Sequence, residues 1–308
     1  MCIRDSMKGE IAYEYILENT QPFIAKITPG GHLFYFDPEG IYEIEPPDKE
    51  IWNYMEMGDH DFQILDDGNL LISISMGGSG IDEPRLLPRL QIISKDKDII
   101  WEWRGEEHIQ ELEKLLGLNY LNREEYLHIH SCDVFKDNPL GHKDKRFKKN
   151  NIVVSFDHIG VVAIIDYPSG EIVWAWGPGV ISEKLSTSIL STGNLLIFDN
   201  GINRGWSRVI ELNPLTREIV WEYHAEPKQN FITRYWGNAQ GLPNGNVLIC
   251  ESEFDHIFEI TPQGEIVWDF ISPFGKITRS RGIYRAYRYS PEYIQPLLEQ
   301  LKIWQLGN

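Results

Sequence analysis

The stretch GDHDFQILDDGNLLISISM (58–76) is followed later in the chain by a near-copy, EKLSTSILSTGNLLIFDNG (183–201). In each, a run alternating apolar and polar leads into a Gly-Asn turn, and a second alternating run starts at Leu-Leu-Ile. Alternation has the period of a half-buried strand, and a Gly-Asn turn between two such runs reads as a hairpin. The first copy continues with LQIIS, a KDKD turn and IIWEW, so four short strands fill one period. Later units repeat the order as TSIL, STGN, LLIF, RVIEL, NPLTRE, IVWEY, and as NAQGL, PNGN, VLIC, HIFEI, TPQG, EIVWDF. The closing phrase recurs as EIVWAW (171–176), EIVWEY (218–223) and EIVWDF (265–270), with weaker copies KEIWNYM (49–55) and DIIWEW (98–103). Trp52, Trp101, Trp174, Trp221 and Trp268 are therefore 49, 73, 47 and 47 residues apart.

Four antiparallel strands in about 45 residues is the period of a propeller blade. The expected fold is all-β: a six-bladed β-propeller of four-stranded antiparallel blades, with the repeated Trp packing between blades. Five blades are read directly. GEIAYEY (9–15) is expected to be the closing strand of a sixth, and GIYRAYRY (282–289) another strand of that blade, which would close the ring and remove its edge. Two segments break the repeat. Residues 105–126 carry Ile109, Leu112, Leu115 and Leu116 at helical spacing, an expected surface helix between blades. Residues 290–304 open with Ser-Pro-Glu, the cap and first turn of a short C-terminal helix.

The chain has 308 residues, a formal net charge of −17 and 42% hydrophobic residues. That charge argues against nucleic acid as a partner and against an anionic membrane surface, since both need a basic face. No apolar run approaches the roughly 20 residues of a transmembrane segment. The opening MCIRDS reads like a translated transposon-end sequencing adapter; it is set aside, which leaves 7–308 as the expected single domain and any signal segment as missing. Cys132 and Cys250 show neither CxxC spacing nor a disulfide pattern, so they are expected as free thiols.

In a propeller, the loops leading into the first strand of each blade line the mouth of the central channel. Nine residues before the Asn of the Gly-Asn turn stand His60, Leu185 and Gly237 in the second, fourth and fifth blades, and Phe23 stands nine before His32 of the corresponding Gly-His in the first. The third blade reads LHIHSCDVF (127–135), with His128 and His130 on one side of the strand. A further cluster, DHIG (157–160), follows its second strand. Paired histidines with Asp157 also suit a divalent metal. The basic run around His142 reads as a solvated loop.

The repeat, with the phrases HDFQILDDGNLL, LHIHS, GNLLIFDNG, SRVIELNPLTREIVWEY, LPNGNVLICES and IYRAYRY, resembles the bacterial arylsulfotransferase family over nearly the whole chain from about residue 9. The resemblance implies a six-bladed propeller that transfers a sulfuryl group from an aryl sulfate to a phenolic acceptor, without a cofactor or a metal. It also implies a periplasmic or extracellular setting. In the family the nucleophile is the histidine of a Gln-His-Asp stretch; that position is Leu185 here, and the Asp is Ser186. A His-x-Asn falls on His128-Ile129-His130, and an arginine falls on Asp157, while His60 is retained. The resemblance thus leaves His128 and His60 as catalytic candidates, with His130, Asp157, His158, Lys184 and Arg208 as substrate-binding candidates. The alternative is a catalytically silent or repurposed ligand-binding propeller. A quinoprotein-like enzyme, which also uses Trp-rich propeller repeats, fits less well without a calcium carboxylate site or vicinal cysteines.

Overall fold

The computed structural model describes residues 2–5, 11–15, 24–37, 39–56, 58–76, 87–118, 127–182, 185–272 and 282–307. The chain forms two compact units, Met1–His60 with Tyr287–Asn308, and Asp61–Ala286.

In the first unit, β1 (Cys2–Asp5) and β2 (Ile11–Tyr15) pair antiparallel as a two-stranded ribbon. Blade one follows: β3 (Ile24–Ile27), β4 (Leu33–Asp37), β5 (Gly40–Glu45) and β6 (Lys49–Tyr54), in that spatial order. Its Ile27, Leu33, Tyr35, Tyr42 and Ile44 enclose Leu297 of the C-terminal helix, Pro291–Gly307. Gly31 stands at φ +87°, where a Cβ would come within 2.8 Å of the Leu297 Cα, so glycine is what lets the helix approach this turn. The Tyr289 hydroxyl accepts from the Ile27 N–H at 3.1 Å, and the Tyr293 hydroxyl donates to the Ile27 carbonyl at 3.0 Å.

Four blades make up the second unit. Blade two is β7 (Gly58–Ile64), β8 (Leu70–Met76), β9 (Leu87–Ile93) and β10 (Ile99–Arg104). Blade three is β11 (Ile129–Val134), β12 (Ile152–Phe156), β13 (Val161–Ile165) and β14 (Ile172–Trp176). Blade four is β15 (Leu185–Ile189), β16 (Leu195–Asp199), β17 (Arg208–Asn213) and β18 (Glu218–Tyr223). Blade five is β19 (Asn238–Gly241), β20 (Val247–Glu251), β21 (His256–Ile260) and β22 (Ile266–Ile271). Each is an antiparallel meander in chain order. Apolar residues of β12 and β13 point alternately toward blades two and four, which is why those strands are buried throughout. The insertion helix, Ile109–Leu116, buries Leu112 against the core shared by blades two and three.

The repeated Ile-Val-Trp has a geometric cause. In all five blades the register of the fourth strand against the third slips by one residue just before the Trp, so Ile51, Ile100, Val173, Val220 and Val267 are each an extra, bulged residue. A bulge re-aims the side chain that follows it. Ile51, Ile100, Val220 and Val267 are exposed in the bulge, whereas Val173 packs against the core between blades three and four. Trp101 Nε1 then donates to the Pro168 carbonyl of blade three at 2.9 Å, and Trp221 Nε1 to the Pro262 carbonyl of blade five at 2.8 Å.

A second device satisfies the exposed edge of the first strands. An unpaired strand edge is a liability, and here side chains of one blade bond the main chain of the next. Asp61 accepts from the Cys132 N–H, Ser131 from Thr187 N–H and Asp133 from Ile189 N–H. Ser186 and Ser188 donate to the carbonyls of Gly237 and Ala239. These polar residues occupy the alternate positions that the sequence pattern shows as hydrophilic.

Five four-stranded sheets stand among the described residues, not the six expected from the sequence. The segment taken as the closing strand of a sixth blade is β2, and its strand hydrogen bonds go to β1 in the adapter-like hexapeptide. The segment taken as its other strand, 282–289, forms no strand. Its main chain is instead engaged by blade five: Gly237 N–H donates to the Tyr284 carbonyl, and Asn238 bonds both the N–H and the carbonyl of Ala286.

Candidate functional site

Antiparallel pairing places the end of β12 beside the start of β11, with Ile129 opposite Phe156. The Asp157 N–H donates to the His128 carbonyl at 3.1 Å and locks the two residues together. Their side chains meet at one corner. His128 Nδ1 lies 2.8 Å from Asp157 Oδ1, and His158 Nε2 lies 3.6 Å from the same oxygen. The two imidazole centroids are 5.3 Å apart. Exposure rises outward: the Asp157 side chain is 0% exposed, His128 12% and His158 42%.

A buried carboxylate is stable only when bonded. An ionised carboxylate accepts and cannot donate, so in this bond Nδ1 of His128 is the donor. The turn behind them is held by Gly160 at φ +60°, where a Cβ would come within 3.0 Å of the Ser182 carbonyl oxygen.

Blade four places its buried carboxylate one register position earlier, opposite Leu185, and surrounds it with other groups. Asp199, fully buried at the end of β16, accepts from Arg204 Nη1 at 3.0 Å, Arg208 Nε at 2.9 Å and both the N–H and hydroxyl of Ser182. Burial alone would raise its carboxyl; Arg204 and Ser182 outweigh burial and hold it below the usual carboxylate range. Arg208 is also tied to Glu222 at 3.0 Å and to the Val180 carbonyl at 2.7 Å. Asn200 donates to the carbonyls of Thr233 and Trp236 and so anchors the start of blade five. The FDNG phrase is thus a junction between blades four and five.

Other sequence candidates have contacts of their own. His130 is buried, and its Nδ1 bonds the Leu185 carbonyl at 2.7 Å, one more tie between first strands. Leu185 is buried in the core between blades three and four. His60 belongs to the first unit; it stands at φ +58°, uncommon for a residue with a side chain, with Nε2 3.3 Å from Asp59 Oδ1. Lys184 lies outside the described residues.

Arg285 was not among the site candidates read from the sequence. Its Nη1 lies 2.7 Å from Asp61 Oδ2 and its Nη2 donates to the His130 carbonyl at 2.6 Å, with both side chains 3% exposed.

A cleft of about 510 Å³ opens between blades four and five, lined by Tyr223, His224, Glu226, Glu251, His256 and Phe258 among others. His256 places Nδ1 2.8 Å from Glu251 and Nε2 2.7 Å from Asp269. Burial opposes its charge, but the two carboxylates outweigh burial and raise its pKa above the ordinary histidine value. The surplus of carboxylates makes this cleft a poor receptor for an anion.

Residues 40–273 match the family described as Arylsulfotransferase (ASST). Among solved structures, a protein of unknown function from Bacteroides caccae is 16% identical, with a TM-score of 0.59 and 90% of each chain covered. Virginiamycin B lyase from Staphylococcus aureus is 13% identical at a TM-score of 0.51, over 83% of this chain and 71% of the lyase chain. At such identities these likenesses show the fold alone. No curated protein matches the sequence.

Proposed function

This chain belongs to the arylsulfotransferase (ASST) family, and from that premise we propose that it transfers a sulfuryl group from an aryl sulfate to a phenolic acceptor, with His128 as the nucleophile. The observation that carries this reading is the 2.8 Å bond between His128 Nδ1 and the buried Asp157. A nucleophilic imidazole needs its lone pair on the attacking nitrogen and a fixed ring, and a carboxylate on the other nitrogen supplies both.

In the proposed reaction Nε2 of His128 attacks sulfur. The N–S bond forms as the S–O(aryl) bond breaks, and its electron pair leaves on the phenolate. His158, exposed beside the ring, exchanges protons with solvent and can protonate that phenolate. The acceptor phenol then attacks sulfur, losing its proton to base, and the S–N pair returns to Nε2. Asp157 remains ionised throughout and stabilises the imidazolium character of the sulfohistidine.

Asp157 also repels the incoming anion. At an effective dielectric of about 20 and a separation of about 6 Å, that repulsion is about 3 kcal/mol. It is offset once the imidazole becomes positive, so the carboxylate favours the intermediate over the bound substrate. One observation favours a second reading, a ligand-binding propeller without catalysis: Leu185, at the family's nucleophile position, is core.

Release of p-nitrophenol from p-nitrophenyl sulfate, with and without phenol, separates the two. Phenol-dependent release in the native chain, reduced at least about 1,000-fold in His128→Ala, is expected. Release that His128→Ala leaves unchanged would reassign the nucleophile, and no release from the native chain would favour the ligand-binding reading.

A further inference from the structure

We propose that the corner formed by His128, Asp157 and His158 is also a site for a divalent first-row transition ion of the Zn²⁺ class. Each of the three residues presents one ligand atom, and these atoms all lie within 4.8 Å of one another. Two imidazoles and one carboxylate are a ligand set that such ions accept and that Mg²⁺ and Ca²⁺, which prefer all-oxygen sites, do not.

The spacings fit. Ligands about 2.1 Å from a metal stand about 3.0–3.4 Å apart in octahedral or tetrahedral geometry, and the two contacts to Asp157 Oδ1 are 2.8 and 3.6 Å. The site is preorganised, since the Asp157 N–H bonds the His128 carbonyl and Gly160 holds the turn against blade four. With His158 42% exposed, solvent or a small ligand can fill the remaining coordination positions. The sequence pairs His128 with His130, but His130 is bonded into the neighbouring blade; His158 takes its place in the set.

Ligation has a consequence for the proposed chemistry, and this consequence rests on that reading. A metal on His128 Nδ1 displaces the proton there, and a neutral imidazole then carries it on Nε2. The lone pair needed to attack sulfur is gone, so metal and sulfuryl donor compete for one ring.

The test uses the full chain in equilibrium dialysis against ZnCl₂, with metal quantified per chain, and Co²⁺ as a visible-absorption probe. One ion per chain is expected, with affinity at least about 10-fold weaker in His158→Gln and Asp157→Asn and unchanged in His142→Ala, a surface control. His158 is exposed enough for His158→Gln to fold. Zn²⁺ should also raise the unfolding temperature of the native chain more than that of His158→Gln. Stoichiometric binding that neither His158→Gln nor Asp157→Asn weakens would place the ion elsewhere, and no binding at about 100 μM free Zn²⁺ would overturn the site. Both readouts are independent of turnover. If the native chain transfers sulfuryl, Zn²⁺ should suppress the rate and a chelator restore it; if it does not, the metal site still stands or falls on binding.

Discussion

Blades three and four each put a buried carboxylate at the end of their second strand, Asp199 one register position before that of Asp157, and surround it with different cations. The strand register is shared, with Ser131 opposite Ser155 and Ser186 opposite Phe198. In blade three, Asp157 faces two imidazoles; in blade four, Asp199 faces two guanidiniums and a serine. Guanidinium is charged at every accessible pH, so the blade-four corner is a permanent ion cluster that fastens the chain. Imidazole gains and loses protons near neutrality and keeps one nitrogen for other chemistry. Neighbouring positions of one strand frame thus hold a permanent ion cluster in blade four and, in the proposed reading, a reactive corner in blade three. Blade five offers a third version: His256, with a carboxylate at each nitrogen, has its charged form favoured but still titrates.

The largest expected effect that breaks this comparison is on stability. Asp199→Asn should cost about 3–5 kcal/mol, because two guanidiniums lose a buried counter-charge; urea unfolding checks it, and a cost under about 1 kcal/mol would show both arginines finding solvent. Since the Asp199 carboxyl is held below its unfolded value, its contribution is complete above the unfolded pKa and is lost as pH falls through the folded one. Next, Asp157→Asn should lower phenol-dependent release by about 100- to 1,000-fold, by disturbing the tautomer of His128. An unchanged rate would make the blade-three corner as static as its neighbour.

Third, Leu185→His puts a polar ring into an apolar core and should cost about 1–3 kcal/mol without raising sulfuryl transfer. A gain in transfer would move the reactive corner to blade four. The smallest effect concerns His256. Its raised pKa means its stabilising contribution is full below the unfolded histidine value and fades as pH rises through the folded one. A folded-state NMR titration midpoint above about 6.5, with a flatter pH–stability curve in His256→Gln, is expected; a midpoint below it would leave blade five outside the comparison.

Much of the scaffold was legible because it is written in local periods. The strand alternation, the Gly-Asn turns and the five tryptophans locate every four-stranded sheet, and Ile109 to Leu116 announce the insertion helix. The sixth blade was misread for a physical reason. GIYRAYRY has strand-like composition, but its backbone groups are taken by Gly237 and Asn238, and Arg285 is committed to Asp61. No local pattern reveals such long-range commitments. The candidate site was legible as residues, not as a geometry. His128, Asp157 and His158 all stood out, yet their meeting depends on the β11–β12 register across 29 residues of sequence. Asp157 stands where the resemblance places an arginine, and its partner is an imidazole. His130 read as a companion of His128 because alternation puts both on one side, whereas its ring is spent on Leu185.

The polar ties between first strands give the blades an order that cannot be shuffled. Blade two offers Asp61 and blade three offers Ser131 and Asp133 as acceptors for the next blade's N–H groups, whereas blade four offers serine hydroxyls to carbonyls. Blade two also offers Gln63 Nε2 to the Cys132 carbonyl and blade three offers His130 to the Leu185 carbonyl, so each junction has its own mixture of donors and acceptors. A chimera that repeats blade four in place of blade three would present hydroxyl donors where a carboxylate now receives Ile189, and would leave mismatched groups along the shared edge. Each blade carries the address of its successor, so recombination among these repeats is restricted even though their backbones are interchangeable.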